Sequence, residues 1–143
     1  MQMQRIKMSA ALVFAGALLL SGCAAGGGNG DASGDACETV RTEARDISNG
    51  AQNALAAGGD PSDVQSALEG YSERAAALGD ENEDVADSAE ALVGALDEAA
   101  AFAETLPTDP EAEVDAEAVA EHQTAIQEAA AEVSSACTAD AEG

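Results

Sequence analysis

Basic residues are scarce in this chain: five Lys and Arg stand against 28 Asp and Glu in 143 residues, a net charge of −23. No lysine follows Lys7. That excludes nucleic-acid binding, because neutralising phosphates requires Lys and Arg, and it excludes electrostatic adhesion to anionic lipid headgroups. Aromatics are also nearly absent, with no Trp, one Tyr (Tyr71) and two Phe (Phe14 and Phe102), so no core is built on large rings. No apolar run is long enough to cross a bilayer as a helix, which takes about 20 residues; Met8 to Leu20 holds 13, interrupted by Ser9 and Gly16. One histidine, His122, leaves little for nucleophilic or metal chemistry.

The informative segment is at the N-terminus. Arg5 and Lys7 precede the apolar run, and the small residues Ser21 and Gly22 separate Leu20 from Cys23. Basic region, apolar region and small residues in that order read as an export signal. The tetrapeptide Leu20-Ser21-Gly22-Cys23 resembles the lipobox of bacterial lipoprotein signal peptides at all four places. That resemblance implies cleavage before Cys23 and a diacylglyceryl, palmitate-type anchor on its thiol. It also implies a location on the cell membrane, facing the extracytoplasmic side. Two acyl chains at about 0.8 kcal/mol per buried methylene suffice for stable anchoring where one does not. Ala24 lacks the Asp that serves as a retention signal in outer-membrane sorting, which leaves inner against outer membrane open. The likeness to the murein lipoprotein of Gram-negative bacteria stops at the lipobox, since a chain without lysine after Lys7 has no such residue to join to the cell wall.

Removing residues 1–22 takes away Arg5 and Lys7 but no carboxylate, leaving Arg41, Arg45 and Arg74 against 28 acids, a net charge of −25. Residues 23–36 comprise the lipidated cysteine and a Gly-rich stretch without apolar periodicity. That stretch is expected to act as a flexible tether reaching about 20 Å. High charge and few aromatics favour disorder. A hydrophobic content of 46%, much of it alanine, and helical periodicity favour a folded domain with a thin core over 37–137. Residues 138–143 read as a frayed tail.

Four helices are expected. The first follows Asp35, with Glu38 in capping-box position. It carries Cys37, Val40, Ala44, Ile47, Ala51 and Ala54 on one face, has a possible kink at Asn49-Gly50, and stops at Gly58-Gly59. The second opens at Asp60-Pro61, turns Val64, Leu68, Tyr71, Ala75 and Leu78 inward, and ends at Gly79. The third runs from about Asn82 to Leu106, with Val85, Ala89, Leu92, Leu96, Ala99 and Phe102 inward, and Pro107 ends it. The fourth starts at Thr108, where Thr108 and Glu111 fit a capping box, and turns Val119, His122, Ile126, Ala129, Val133 and Ala136 inward. Gly70 and Gly94, both mid-helix, are either close-approach points or plain weaknesses. No alternating strand pattern competes. The fold class is therefore all-α, an up-down-up-down four-helix bundle.

With Cys23 assigned to lipid, Cys37 and Cys137 remain as a pair in an oxidising compartment. Cys37 opens the first helix and Cys137 closes the last. An even number of antiparallel helices returns the chain ends to one side, whereas three helices of 20 residues would separate them by some 30 Å, far beyond the roughly 4.4–6.8 Å between Cα atoms that a disulfide allows. A terminal disulfide clamp is the reading favoured over free thiols, a redox pair, which usually shows Cys-x-x-Cys, or a zinc site, which needs more ligands.

The remaining motifs are weak. His122 lies on an apolar stripe without a nucleophile beside it. Asp80, Asn82 and Asp84 match three positions of a calcium-binding loop, but Val85 stands where Gly is needed and Ala91 where a bidentate Glu is needed. No catalytic residue, metal site or cofactor is assigned. The expectation is a lipid-anchored, non-enzymatic interaction or accessory module. It would be held to the membrane by acyl chains on Cys23 and would act through an unidentified extracytoplasmic protein. An alternative is a lipoprotein that uses its acidity to bind a cation or small ligand. Oligomeric state stays open.

Overall fold

Period-3.6 apolar stripes become the buried faces of helices α1 (Ala32–Ala57), α2 (Pro61–Glu81), α3 (Ala86–Ala103) and α4 (Ala116–Ala139), with a 3-10 turn at Glu83–Val85 between α2 and α3. The computed structural model describes residues 32–139. Leu20, Ser21, Gly22 and Cys23, the rest of the signal segment, residues 24–31 and the tail from 140 lie outside the described residues. No strand is present among the described residues. Each helix packs on two neighbours in cyclic order, α1 against α2 and α4, and α3 against α2 and α4. This is the expected four-helix bundle of up-down-up-down connectivity.

The core is aliphatic and small. Ile47, Leu68, Leu92, Leu96, Ile126 and Val133 are fully buried, interleaved with Ala44, Ala51, Ala75 and Ala99 at 0% exposure. Alanine at these positions lets the helix axes approach closely, at the cost of little apolar area per residue. Tyr71 and Phe102, expected inward, pack from the side as partly buried residues. Leu55 rather than Ala54 completes the α1 face, and Ser72 shares the buried α2 face with Leu68 and Ala75. Ser72 is accommodated because its Oγ donates to Asp97 Oδ1 on α3 at 2.7 Å; a buried hydroxyl without a partner would be costly.

The cysteine pair closes as the parity of the helices requires. Cys37 and Cys137 form a disulfide with Cα atoms 5.5 Å apart and a sequence separation of 100. It defines one end of the bundle, here the disulfide end. The α1–α2 turn and the α3–α4 connection lie at the other, the loop end.

Helix boundaries differ from the expected ones in ways that local physics explains. α1 begins at Ala32, so Asp35 sits in its first turn, where its charge complements the helix dipole. Asn49-Gly50 does not break α1. The missing side chain at Gly50 makes room for the Tyr71 ring. Gly79 does not end α2, which continues to Glu81. A β-carbon at Gly79 would stand 3.1 Å from that of Ala89, so the glycine serves the close approach of α2 and α3. The α2 end is made by Asn82, in extended conformation, whose backbone N–H and Nδ2 both donate to the Leu78 carbonyl.

The largest departure concerns the fourth helix. Thr108 and Glu111 do not start it; residues 104–115 form turns and loop, and α4 begins at Ala116. Asp115 is the cap, its Oδ1 accepting from the backbone N–H of Glu117 and of Ala118, both at 3.1 Å. Two factors defeat the earlier start. Pro110 biases Asp109 away from helical geometry, and Asp109 Oδ1 takes the Glu111 N–H in a local turn. Between Pro107 and Val119 no apolar stripe exists that could face the core.

Candidate functional site

The loop end carries a groove of about 710 Å³. It is built where the α1–α2 turn and the α3–α4 connection meet. Gly58 and Gly59, at φ +61° and +110°, let the chain reverse within three residues, a conformation that glycine adopts without strain. On one side the groove is lined by Leu55 and the turn through Asp60, on the other by Leu106, Pro107, Pro110, Val114 and Val119. Leu55 and Leu106 form its floor, at 3% and 7% exposure. Val114 stands on its rim at 44%, the exposed large hydrophobic among the described residues.

Charge is distributed unevenly along the bundle. Arg41 and Arg45 lie in the disulfide half of α1, and Arg74 on α2 reaches back to the same level, where its guanidinium pairs with Glu43. The loop end has no Lys or Arg; residues 104–117 alone contribute Glu104, Asp109, Glu111, Glu113, Asp115 and Glu117. Those from 109 to 117 are all exposed. Asp60, at the groove wall, is the N-cap of α2. Its Oδ1 accepts from Ser62 Oγ at 2.6 Å and from the Ser62 N–H at 3.0 Å. Those two bonds hold its carboxyl below the usual aspartate value of 3.8, because both favour the charged form.

The other sequence candidates are positioned as follows. His122 is half-buried on α4, its ring centroid 4.7 Å from that of Phe102, and borders a shallow groove of about 620 Å³ with Glu98, Glu117, Glu121 and Glu128. Asp80, Asn82 and Asp84 fall on the end of α2, its cap and the 3-10 turn, respectively. Among the described residues no three His, Cys, Asp or Glu side chains come together in a way that holds a metal ion. None of the described helices is long and apolar enough to cross a membrane.

Cys37 and Cys137 are thus brought together, while Cys23 and the lipobox residues lie outside the described residues. The loop-end groove was not legible in sequence. The signal that could have found it is Val114, an aliphatic residue set among alternating acids between two prolines and an Asp cap, where no helical stripe claims it. Comparison with protein-family models, curated proteins and solved structures returned no match to this chain.

Proposed function

We infer that this protein is a lipid-anchored extracytoplasmic lipoprotein whose helical domain works by binding another protein, without catalysis. The observation that carries the reading is the register of Arg5 and Lys7, the apolar run, and Leu20-Ser21-Gly22-Cys23. Such a segment reads as an export signal, and its resemblance to the lipobox of bacterial lipoproteins implies a lipidated cysteine at the new N-terminus. The Cys37–Cys137 disulfide supports it, because disulfides persist in oxidising compartments.

In this reading the acyl chains hold the protein at the membrane and the Gly-rich residues after Cys23 let the domain stand away from it. The acidic surface repels anionic headgroups, and so keeps the bundle in solvent where a partner can reach it. The disulfide end follows the tether in the chain, so the loop end with its groove lies at the far end of α1, about 39 Å along a helix of 26 residues.

The test has two parts. Labelling with a palmitate analogue is expected to mark the protein and to be lost in Cys23→Ala, which also leaves the membrane fraction; a label retained in the variant overturns the anchor. Cross-linking in intact cells followed by capture from membranes is expected to yield a stoichiometric protein partner that the Cys23→Ala variant loses. A second reading, cation or small-ligand binding, draws on the net charge. Calorimetry at physiological salt separates the two, since saturable heat with defined stoichiometry favours a ligand and heat that vanishes with salt does not.

A further inference from the structure

We propose that the loop-end groove is the docking site for the partner, and that the partner presents a basic segment carrying bulky apolar side chains. This rests on the reading of the protein as an interaction module and adds where it binds and what it recognises.

The groove has the size of a binding site, about 710 Å³ against the roughly 300–1,000 Å³ common for ligand sites. Its floor of Leu55 and Leu106 and its rim of Val114 and Pro110 are apolar, so water held there gains little from the wall. It is partly open to solvent, however, and leaves part of an occupant uncovered. A small molecule that depends on enclosure over most of its surface fits such a groove poorly. A segment of a larger protein, with further contacts outside, fits it well.

Electrostatics selects the sign. Asp60 and Asp109 line the groove; Glu111, Glu113 and Asp115 alternate along the exposed connection with the lining residues Ala112, Val114 and Ala116, with no basic residue among them. The helix ends agree. The N-termini of α2 and α4, which would attract anions, are already occupied by the caps Asp60 and Asp115. The C-termini of α1 and α3, which carry partial negative charge, have no basic residue in their last turns. Asp60 uses Oδ1 for Ser62, which leaves Oδ2 to accept from a cation. Acids, caps and helix ends therefore point to a positively charged occupant. A second copy of this chain is disfavoured because its own loop end carries the same acids.

The experiment is site-specific photocross-linking in intact cells with the full, lipidated chain. A photoreactive residue is placed at exposed Val114 or, as a control, at exposed Glu90 near the start of α3, and the cross-linked peptide is sequenced. The expected result is a protein adduct at position 114, absent at position 90, on a segment rich in Lys or Arg beside apolar residues. Glu111→Lys with Glu113→Lys is expected to lower its yield by about tenfold, as like charges at an interface do. Both sites are exposed loop positions, and far-ultraviolet circular dichroism checks that the bundle is intact. An adduct that is acidic, is a second copy of the chain, or survives the charge reversal overturns the proposal. Partner adducts at position 90 but not 114 overturn the groove and leave the interaction module standing. No protein adduct at either position, with no partner captured by general cross-linking, overturns both.

Discussion

Gly50 of α1 lies against the phenolic end of Tyr71 on α2: a β-carbon built at position 50 would overlap the phenolic oxygen and two ring carbons. The half-buried Tyr71 ring occupies that space, and the Arg74 guanidinium lies over the ring, 5.6 Å from its centroid. Arg74 in turn pairs with Glu43. Glycine, ring, guanidinium and carboxylate thus lace α1 to α2, although the exposed ion pair by itself contributes about 1 kcal/mol or less.

Gly50→Ala is accordingly expected to destabilise the bundle by about 1–3 kcal/mol through overpacking, even though alanine is the better helix former. Gly70 and Gly94 are opposite in sign. A β-carbon at either meets nothing within 4 Å, so Gly70→Ala and Gly94→Ala are each expected to stabilise by about 0.5–1 kcal/mol. Urea denaturation of the three variants checks this, and equal effects at all three positions would refute the distinction.

The Cys37–Cys137 bond closes a loop with a sequence separation of 100. In the chain-entropy account such a loop is worth up to about 4.7 kcal/mol, a large share of the 5–15 kcal/mol typical of a domain. Cys37→Ser with Cys137→Ser is expected to lower the unfolding free energy by several kcal/mol, and reductant is expected to lower the melting temperature of the native protein but not of that variant. Unchanged melting on reduction would show that the core alone holds the fold.

Helix type, number and inward faces were legible because alanine and aliphatic residues recur at 3.6 spacing over long stretches, and because Cys37 and Cys137 bracket an even number of helices. Boundaries were less legible. Gly50 and Gly79 read as breaks in sequence, yet each makes room for a residue distant in the chain, Tyr71 and Ala89, and local signals carry no record of such neighbours. Thr108 and Asp115 both offer caps; the choice between them depends on where α4 finds a core to face. The pairing of Ser72 with Asp97 and the loop-end groove arise from packing and connection geometry that no single stretch encodes.

Asp60 gives a pH signature. Its folded carboxyl is held below 3.8 by the Ser62 hydroxyl and N–H, so the ionised form is favoured in the folded state. The sign follows: this contribution is fully present above the unfolded value near 3.8 and is lost as pH falls through the lower folded value. Asp60→Ala is expected to melt below the native protein at neutral pH, with the gap narrowing below about pH 4. Asp60→Asn, which keeps a capping oxygen, is expected to fall between them at neutral pH and to show the weaker pH dependence. A gap that stays constant down to pH 2 would show that the cap acts without its charge.

Salt should stabilise this protein with a particular profile. The 28 acids against three arginines after Cys23 repel one another in the compact state more than in an expanded chain, and self-repulsion of this kind lowers stability. The Debye length falls from about 30 Å at 0.01 M to about 8 Å at 0.15 M, so most long-range repulsion along the bundle is screened within that interval. The melting temperature is expected to rise steeply from 0.01 to about 0.15 M sodium chloride and to flatten above it. A Hofmeister effect on apolar burial would instead continue to grow at higher salt, and an attractive network of ion pairs would weaken with added salt. Urea and guanidinium chloride separate the same terms: dilute guanidinium chloride, itself a salt, is expected to raise the stability of the bundle before it unfolds it, whereas urea lowers it from the first addition. A melting temperature that falls with sodium chloride would show that the acids are held by attraction, and the repelling surface invoked to keep the domain off the membrane would have to be abandoned.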